Sequence, residues 1–280
     1  MQKVIVTHFS PDLDGIPAIW MLKKFHPDFK NARIAFVPAG DNTYNNEPVD
    51  SNPDVIHVDC GGGKFDHHKT NEFTCGSKLV WEWLVKEGYI KKEDEAVGRI
   101  VEVLTELDHG WDSYKWAEPA SDRWEFTLNN ILAGWKMLFP KQDEKYVDWV
   151  IYAMDAIYKN MELKVRAENE IKGGEKFKTQ WGEGVAVYTA NDSVIDVGIK
   201  EGFAMVVRKD PGKGYIRVTA SNAHKVDLTG AYEALIKKDP KATWFLHASK
   251  KLLRNGSTRN PTMVPTKLEL REVVEILKKS

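Results

Sequence analysis

The stretch VIVTHFSPDLDGIPAIWMLKKF, from Val4 to Phe25, decides how the first half of the chain is read. Val4-Ile5-Val6 is a β-branched run of the kind buried on both faces of a parallel sheet. It ends at Thr7-His8, and the turn-forming segment Ser10-Pro11-Asp12-Leu13-Asp14-Gly15 follows. Ile16, Ile19, Trp20, Leu22 and Phe25 then recur at helical spacing. Working outward, RIAFV at 33–37 and VIHV at 55–58 read as two more short strands. Helical spacing returns at 77–87 and 95–107, with Val97, Ile100, Val101 and Leu104 on one face. This order predicts an α/β domain with a mainly parallel sheet flanked by helices.

The second half changes character. The pattern is helical from about Asp122, is interrupted near Phe139-Pro140, and resumes from Asp143 to Lys172 before the stop signal Gly173-Gly174. Strands are expected at 184–188, 203–208, 215–220 and 243–247, with helices at 228–238 and 267–279. Asp210-Pro211-Gly212-Lys213-Gly214 reads as a hairpin turn. The plan is therefore two α/β domains: residues 1–140, a helical connector at 141–175, and a smaller C-terminal domain at 176–280.

Composition narrows the class. In 280 residues, 40 basic and 41 acidic side chains leave a formal charge of −1, which argues against a histone-like or polybasic membrane-binding protein. The 42% hydrophobic and 11% aromatic content describes a folded chain. Two cysteines, Cys60 and Cys75, are too few for a disulfide framework. The N-terminus has no secretory signal, and no window approaches a membrane span, so a cytoplasmic protein without a membrane partner is expected.

Acidic and histidine residues gather where the N-terminal strands end. His8, Asp12 and Asp14 follow the first strand, Asp59 follows the third, Asp66-His67-His68 comes next, and Asp108-His109 closes a helix. Each group alone has a bland reading as loop, cap or turn chemistry. In an open parallel sheet, however, the carboxyl ends of neighbouring strands share one crevice. Carboxylates crowded there repel one another, and a pair of divalent ions relieves the conflict. Oxygen ligands mixed with imidazole suit manganese or magnesium better than structural zinc.

THFSPDLDG, VDCGGG, FDHHK and the later Asp108 resemble, in order and spacing, the four motifs of the DHH phosphoesterase superfamily, over roughly the first 110 residues. The resemblance implies a phosphoesterase with two divalent metal ions, usually Mn2+ with Mg2+ as the substitute, and water as nucleophile. It places one ion on His8, Asp12, Asp59 and Asp108, and the other on Asp14, His67 and the shared Asp59 and Asp108. His68 would face the substrate phosphate as a catalytic residue. Asp66 would orient the histidines, and Lys69 would lie on the substrate side. A homodimer is a family expectation. The second half resembles the first type of DHH-associated C-terminal domain, but WFLHASKKLLRNGSTRN stands where that domain carries Gly-Gly-Gly-His. VDCGGGKFDHHK and FLHASKKLLRNGST are similar to MYG-type exonucleases, although motif I keeps Asp-x-Asp where those proteins have Cys-Asp-Glu.

The C-terminal segment can also be read from its own residues. Lys250, Lys251, Arg254 and Arg259 bracket Asn255-Gly256-Ser257-Thr258, whose amides and hydroxyls with flanking cations could clamp a phosphate; a solvated basic loop is the alternative. His247 is placed with this substrate-binding set, with a buried structural histidine as the alternative. Arg208 and Arg217 read as surface residues. Trp20, Trp81, Trp135 and Trp149 fall at core spacing, whereas Trp111 and Trp116 are the candidates for base stacking. Gly61-Gly62-Gly63 reads as a tight turn bringing Asp59 and His67 together, and Cys60 as a buried passenger.

The leading expectation is hydrolysis of phosphodiester bonds in short or single-stranded oligonucleotides or nucleotides. The alternatives are a small-molecule phosphatase acting on a nucleoside bisphosphate or pyrophosphate, and a non-catalytic metal- or nucleotide-binding module.

Overall fold

Val4 and Val6 point to one side of the first strand and Ile5 to the other, and all three are buried, so this strand needs cover on both faces. A computed structural model describes residues 2–115, 117–118, 120–257, 259–260 and 262–280. It divides into two compact units, Met1–Met161 and Glu162–Ser280.

In the first unit, β1 (Val4–His8) lies between β2 (Arg33–Val37) and β3 (Val55–His57), and both pairings are parallel. Ile5 joins Ile56 and Val58 in the main core, which also holds Ile16, Ile19 and Trp20 of α1 (Gly15–Phe25). Val4 and Val6 meet Ala35, Val37 and Cys60 on the other side. Burying side chains of this size contributes about 1.5–3 kcal/mol each. The helices α2 (Gly76–Lys86) and α3 (Glu95–Asp108) complete the main core through Val80, Leu84, Val97, Ile100 and Leu104. The short α4 (Asp112–Lys115), α5 (Leu128–Leu138) and α6 (Asp143–Lys172) follow.

Residues 141–175 consist mainly of α6. Tyr146, Val147, Val150 and Met154 of α6 belong to the core of the first unit, and Ala167 and Ile171 to a core of the second. Trp20 is buried, and Trp81, Trp83, Trp135 and Trp149 pack against the same core. Trp111 is about half exposed, and Trp116 lies outside the described residues. Both thiols are free and buried, and burial pushes that of Cys60 up to about 12.

The second unit holds a six-stranded sheet of β4 (Glu175–Thr179), β5 (Gly182–Tyr188), β6 (Met205–Lys209), β7 (Ile216–Ala220), β8 (Trp244–Leu246) and β9 (Leu252–Asn255). The strand order is β4-β5-β6-β7-β9-β8, with β5–β6 parallel and the other neighbours antiparallel. On one face, α8 (Thr229–Lys238) and α9 (Leu270–Lys278) bury Ala231, Leu235, Val273 and Leu277 against Met205, Val207, Val218 and Leu253. On the other, α7 (Ser193–Lys200) and the end of α6 cover Val185, Val187 and Val206.

The chain is thus α/β, with a parallel sheet flanked by helices and a second, mixed sheet. β4, α7 and β9 are additions to the sequence reading, and β9 corrects it. Leu252-Leu253-Arg254-Asn255 is a strand rather than a loop, because Leu253 and Asn255 are buried on one face while Arg254 lies on the other. No helix among the described residues is long and apolar enough to cross a membrane.

Candidate metal centre

His8 ends β1, and Asp59 lies just beyond β3, the neighbouring parallel strand, so the two meet at one sheet edge. Asp59 adopts a left-handed backbone conformation (φ 55°), which an aspartate tolerates better than most residues. It is buried at 3% exposure, and its Oδ2 lies 3.2 Å from His8 Nε2. Asp12 Oδ1 accepts from the amides of Asp14 and Gly15, closing the turn into α1. Asp108 is the last residue of α3. His67 Nε2 sits among three carboxylates, 3.5 Å from Asp14, 3.6 Å from Asp59 and 3.7 Å from Asp108.

Three groups of ligand atoms lie within 4.8 Å of one another: His8, Asp12 and Asp59; Asp14, His67 and Asp108; and Asp59, His67 and His68. Ligands opposite one another across a small divalent ion are roughly 4 Å apart, so each group has the dimensions of a coordination shell. The Oδ1 of Asp59 is buried without a hydrogen-bond partner among the described residues, as expected of an atom reserved for a cation. The donor set is mixed oxygen and imidazole, which suits a divalent cation. All six residues expected to hold metal are brought together. Asp108 groups with Asp14 and His67, while the His8 group holds Asp12 and Asp59.

The electrostatics follow from this crowding. The Asp59 carboxylate, hydrogen-bonded to His8 and 3.6 Å from His67 Nε2, raises both histidines to about 9, against the opposing effect of burial. Burial works to raise Asp59, but the nearby His67 and the hydrogen bond from His8 prevail and hold it below the usual carboxylate range. Asp14 is raised to about 7, by burial first and then by the charge of Asp59. Asp108 is raised by burial. Without a bound cation, the raised His8 and His67 offset part of the negative charge of these carboxylates.

Asp66 accepts from the amides of Gly62 and His68 and holds His68 Nδ1 at 2.7 Å. It orients His68, while His67 faces the other carboxylates. His68 is 62% exposed in its side chain, available to a ligand. Lys69 is ion-paired with Asp41 at 2.7 Å.

Sequence reading missed the cradle of Asp14. Its two carboxylate oxygens accept from the amides of Gly76 and Ser77 at 2.6 Å each, at the start of α2, and Ser77 Oγ donates to its carbonyl. A helix N-terminus favours negative charge there. Only glycine fits at 76, since a Cβ would lie 2.9 Å from Asp14 Oδ2 and 3.1 Å from the carbonyl of Phe65. The available signal was Cys75-Gly76-Ser77 just before an apolar-periodic run. Replacing Ser77 by alanine removes one anchor of Asp14, and divalent-ion affinity measured by titration calorimetry should fall about tenfold.

The residues expected to bind substrate in the second unit are arranged differently from expectation. Asn255 is fully buried and spent on structure: its Nδ2 donates to the carbonyls of Thr243 and Val264, and its Oδ1 accepts from Thr266 N. Lys250 pairs with Asp227, and Lys251 Nζ is held by the carbonyls of Ser221, Asn222 and His224. His247 is exposed, with Nδ1 against Ser249. Arg254 is half-buried, Gly256 is buried, Ser257 is half-buried and Arg259 is exposed; Thr258 lies outside the described residues. Arg208, expected at the surface, is buried at 6% exposure and bound to Asp192, Asp210 and the carbonyl of Thr189.

No protein-family model and no curated protein matches the chain. Among solved structures, RecJ of Thermus thermophilus in complex with Mg2+ is 11% identical, with a TM-score of 0.34, covering 99% of this chain and 49% of that one. The same protein in complex with Mn2+ is 10% identical, with a TM-score of 0.34, covering 99% of this chain and 52% of that one. The chain spans about half the length of these structures, and at such scores the likeness fixes neither fold nor activity.

Proposed function

We propose that the chain is a divalent-metal-dependent phosphoesterase that hydrolyses phosphodiester bonds of short single-stranded oligonucleotides or nucleotides. The observation that carries this reading is the set of three overlapping ligand groups sharing Asp59 and His67. The order of the sequence motifs, which resembles that of DHH phosphoesterases, supports it as well. His8, Asp12, Asp14, Asp59, His67 and Asp108 would hold the ions. Bound there, Mn2+ or Mg2+ would supply Lewis-acid charge to the phosphate and make water a competent nucleophile near neutral pH.

The chain's own residues have distinct tasks. With Nδ1 hydrogen-bonded to Asp66, His68 is fixed in orientation and has Nε2 free for a phosphate oxygen or the leaving group. Asp14, locked against the α2 amides, holds its side of the cluster rigid. Beside Asp108, the rings of Phe73, His109 and Trp111 cluster, with centroids 4.5 Å (Phe73–His109) and 4.8 Å (Phe73–Trp111) apart. Phe73 and Trp111 are each about half exposed. Such a platform suits a base, whereas pyrophosphate has no use for it. A cavity of about 790 Å³ is lined by Phe9, Ser10 and Phe36, near His8 in sequence, together with Lys141, Asp143 and Glu144.

The test is a manganese assay across dinucleotides, longer oligonucleotides, nucleoside bisphosphates and pyrophosphate, read by product size. Turnover confined to pyrophosphate, or absent throughout, sinks the nucleotide reading. Trp111→Ala should weaken dinucleotide binding about tenfold, since stacking contributes roughly 1–3 kcal/mol per base. Phosphate-only ligands should be unaffected.

A further inference from the structure

The second unit carries a row of arginines that the metal centre does not use. Arg208 of β6 lies directly opposite Arg217 of β7, which lies directly opposite Arg254 of β9. Facing residues of antiparallel strands project from the same face with Cβ atoms about 5 Å apart, and like charges so placed repel. Asp192, at the start of α7, relieves part of this: its Oδ1 lies 2.9 Å from Arg208 Nε and 3.4 Å from Arg217. Asp210 is a fixed partner, since its Oδ1 accepts from the amides of Gly212 and Lys213. Asp192 is different, with 59% of its side chain exposed, and it can swing away without losing cover. Arg254 remains poorly matched: its Nε is buried without a hydrogen-bond partner among the described residues, and Arg217 and Arg259 add to its repulsion.

A polar cavity of about 150 Å³ opens here, lined by Arg208, Arg217, Asp192, Lys213, Gly256 and Ser257. Gly256 has φ 86°, and a Cβ on it would lie 2.0 Å from the ring of Tyr215, so the bare backbone at this wall is a requirement of the packing. The charged side chains lining the cavity are Arg208, Arg217 and Lys213 against Asp192 and Asp210. With Asp192 turned away, two positive charges are left over, enough to match the double negative charge of a phosphate monoester near neutral pH. The planar guanidinium fork also matches phosphate oxygens in geometry.

We propose that this cavity receives the terminal phosphate monoester of an oligonucleotide, and that Asp192 occupies the anion position until the phosphate displaces it. The inference rests on the nucleotide-phosphoesterase reading and names how its substrate is gripped. It replaces the lysine-flanked loop, whose Lys250 and Lys251 are engaged elsewhere, with the face of the sheet.

Calorimetric titration of the full chain in EDTA tests it, with dithymidine carrying a 5′-phosphate, a 3′-phosphate or neither, and with inorganic phosphate. One phosphorylated form should bind about tenfold tighter than the unphosphorylated one. Arg217→Gln should erase that preference while leaving the thermal midpoint and the binding of unphosphorylated dithymidine in place. Asp192→Asn should strengthen the preference severalfold. Equal binding of all three dinucleotides overturns the proposal, as does inorganic phosphate binding as tightly as the phosphorylated dinucleotide, or a preference that survives Arg217→Gln. Because EDTA removes divalent ions, the preference is read apart from hydrolysis. Its loss alongside metal-dependent turnover sinks only this site; its persistence without turnover sinks only the hydrolase reading.

Discussion

Replacing Asp59 by asparagine should lower divalent-ion-dependent hydrolysis of short oligonucleotides by ~10³-fold or more while leaving a folded chain. Asp59 belongs to two of the three ligand groups, so its loss weakens both at once. An ion's electrostatic contribution to phosphate chemistry is several kcal/mol, and each 1.36 kcal/mol is about tenfold in rate. Asparagine is the right substitute because position 59 has φ 55°, a conformation it tolerates where alanine would add strain. It also keeps the side-chain volume in a site with 3% exposure. Rates over a manganese titration, with circular dichroism on the same samples, check this. Near-wild-type turnover would remove Asp59 from the metal centre and the proposed activity with it.

The second large effect concerns stability and pH. In the metal-free chain, His8 and His67 are raised from about 6.5 to about 9, and Asp14 from about 3.8 to about 7. In each case the folded state holds its proton to higher pH than the unfolded state. Where the folded state binds more protons, stability falls as pH rises. The contribution of the two histidines is fully present below about pH 6.5 and is lost as pH climbs through about 9, and that of Asp14 is lost between about 4 and 7. Asp59 is shifted the other way, so its contribution disappears only at acid pH, outside this window.

Thermal midpoints in EDTA should therefore drop by several degrees between pH 6.5 and 9. Saturating Mn2+ should reverse the trend, because the ion replaces the protons as counter-charge and binds better as the imidazoles deprotonate. A midpoint in EDTA that rises across this window would contradict the assigned pairing of His8 and His67 with Asp59.

Much of the first unit was readable along the chain. The β-branched run at Val4-Ile5-Val6 and the helical spacing from Ile16 to Phe25 are local signals, and the elements they describe lie where they were placed. The approach of His8, Asp59 and Asp108 was readable for a related reason: they sit at or just beyond the ends of β1, β3 and α3, and parallel strands bring such ends to one edge. The substrate-side residues were less legible. Leu252-Leu253-Arg254-Asn255 is too short for periodicity to separate strand from loop, and only pairing with β7 and β8 makes it a strand.

By itself, the sequence determined which residues could carry the chemistry and on which short elements they stand, because backbone preference and side-chain period act over a few residues. Tertiary structure alone decided how those residues are held. Asp14 is locked by amides 62 and 63 residues further along, a contact no local pattern encodes. Arg208 is buried, and the Nε of Arg254 lacks a hydrogen-bond partner among the described residues; the β6–β7 hairpin and the more distant β9 set their arginines opposite one another. Such contacts depend on the register between strands, and register is fixed only when the whole hydrophobic face of a sheet finds its cover.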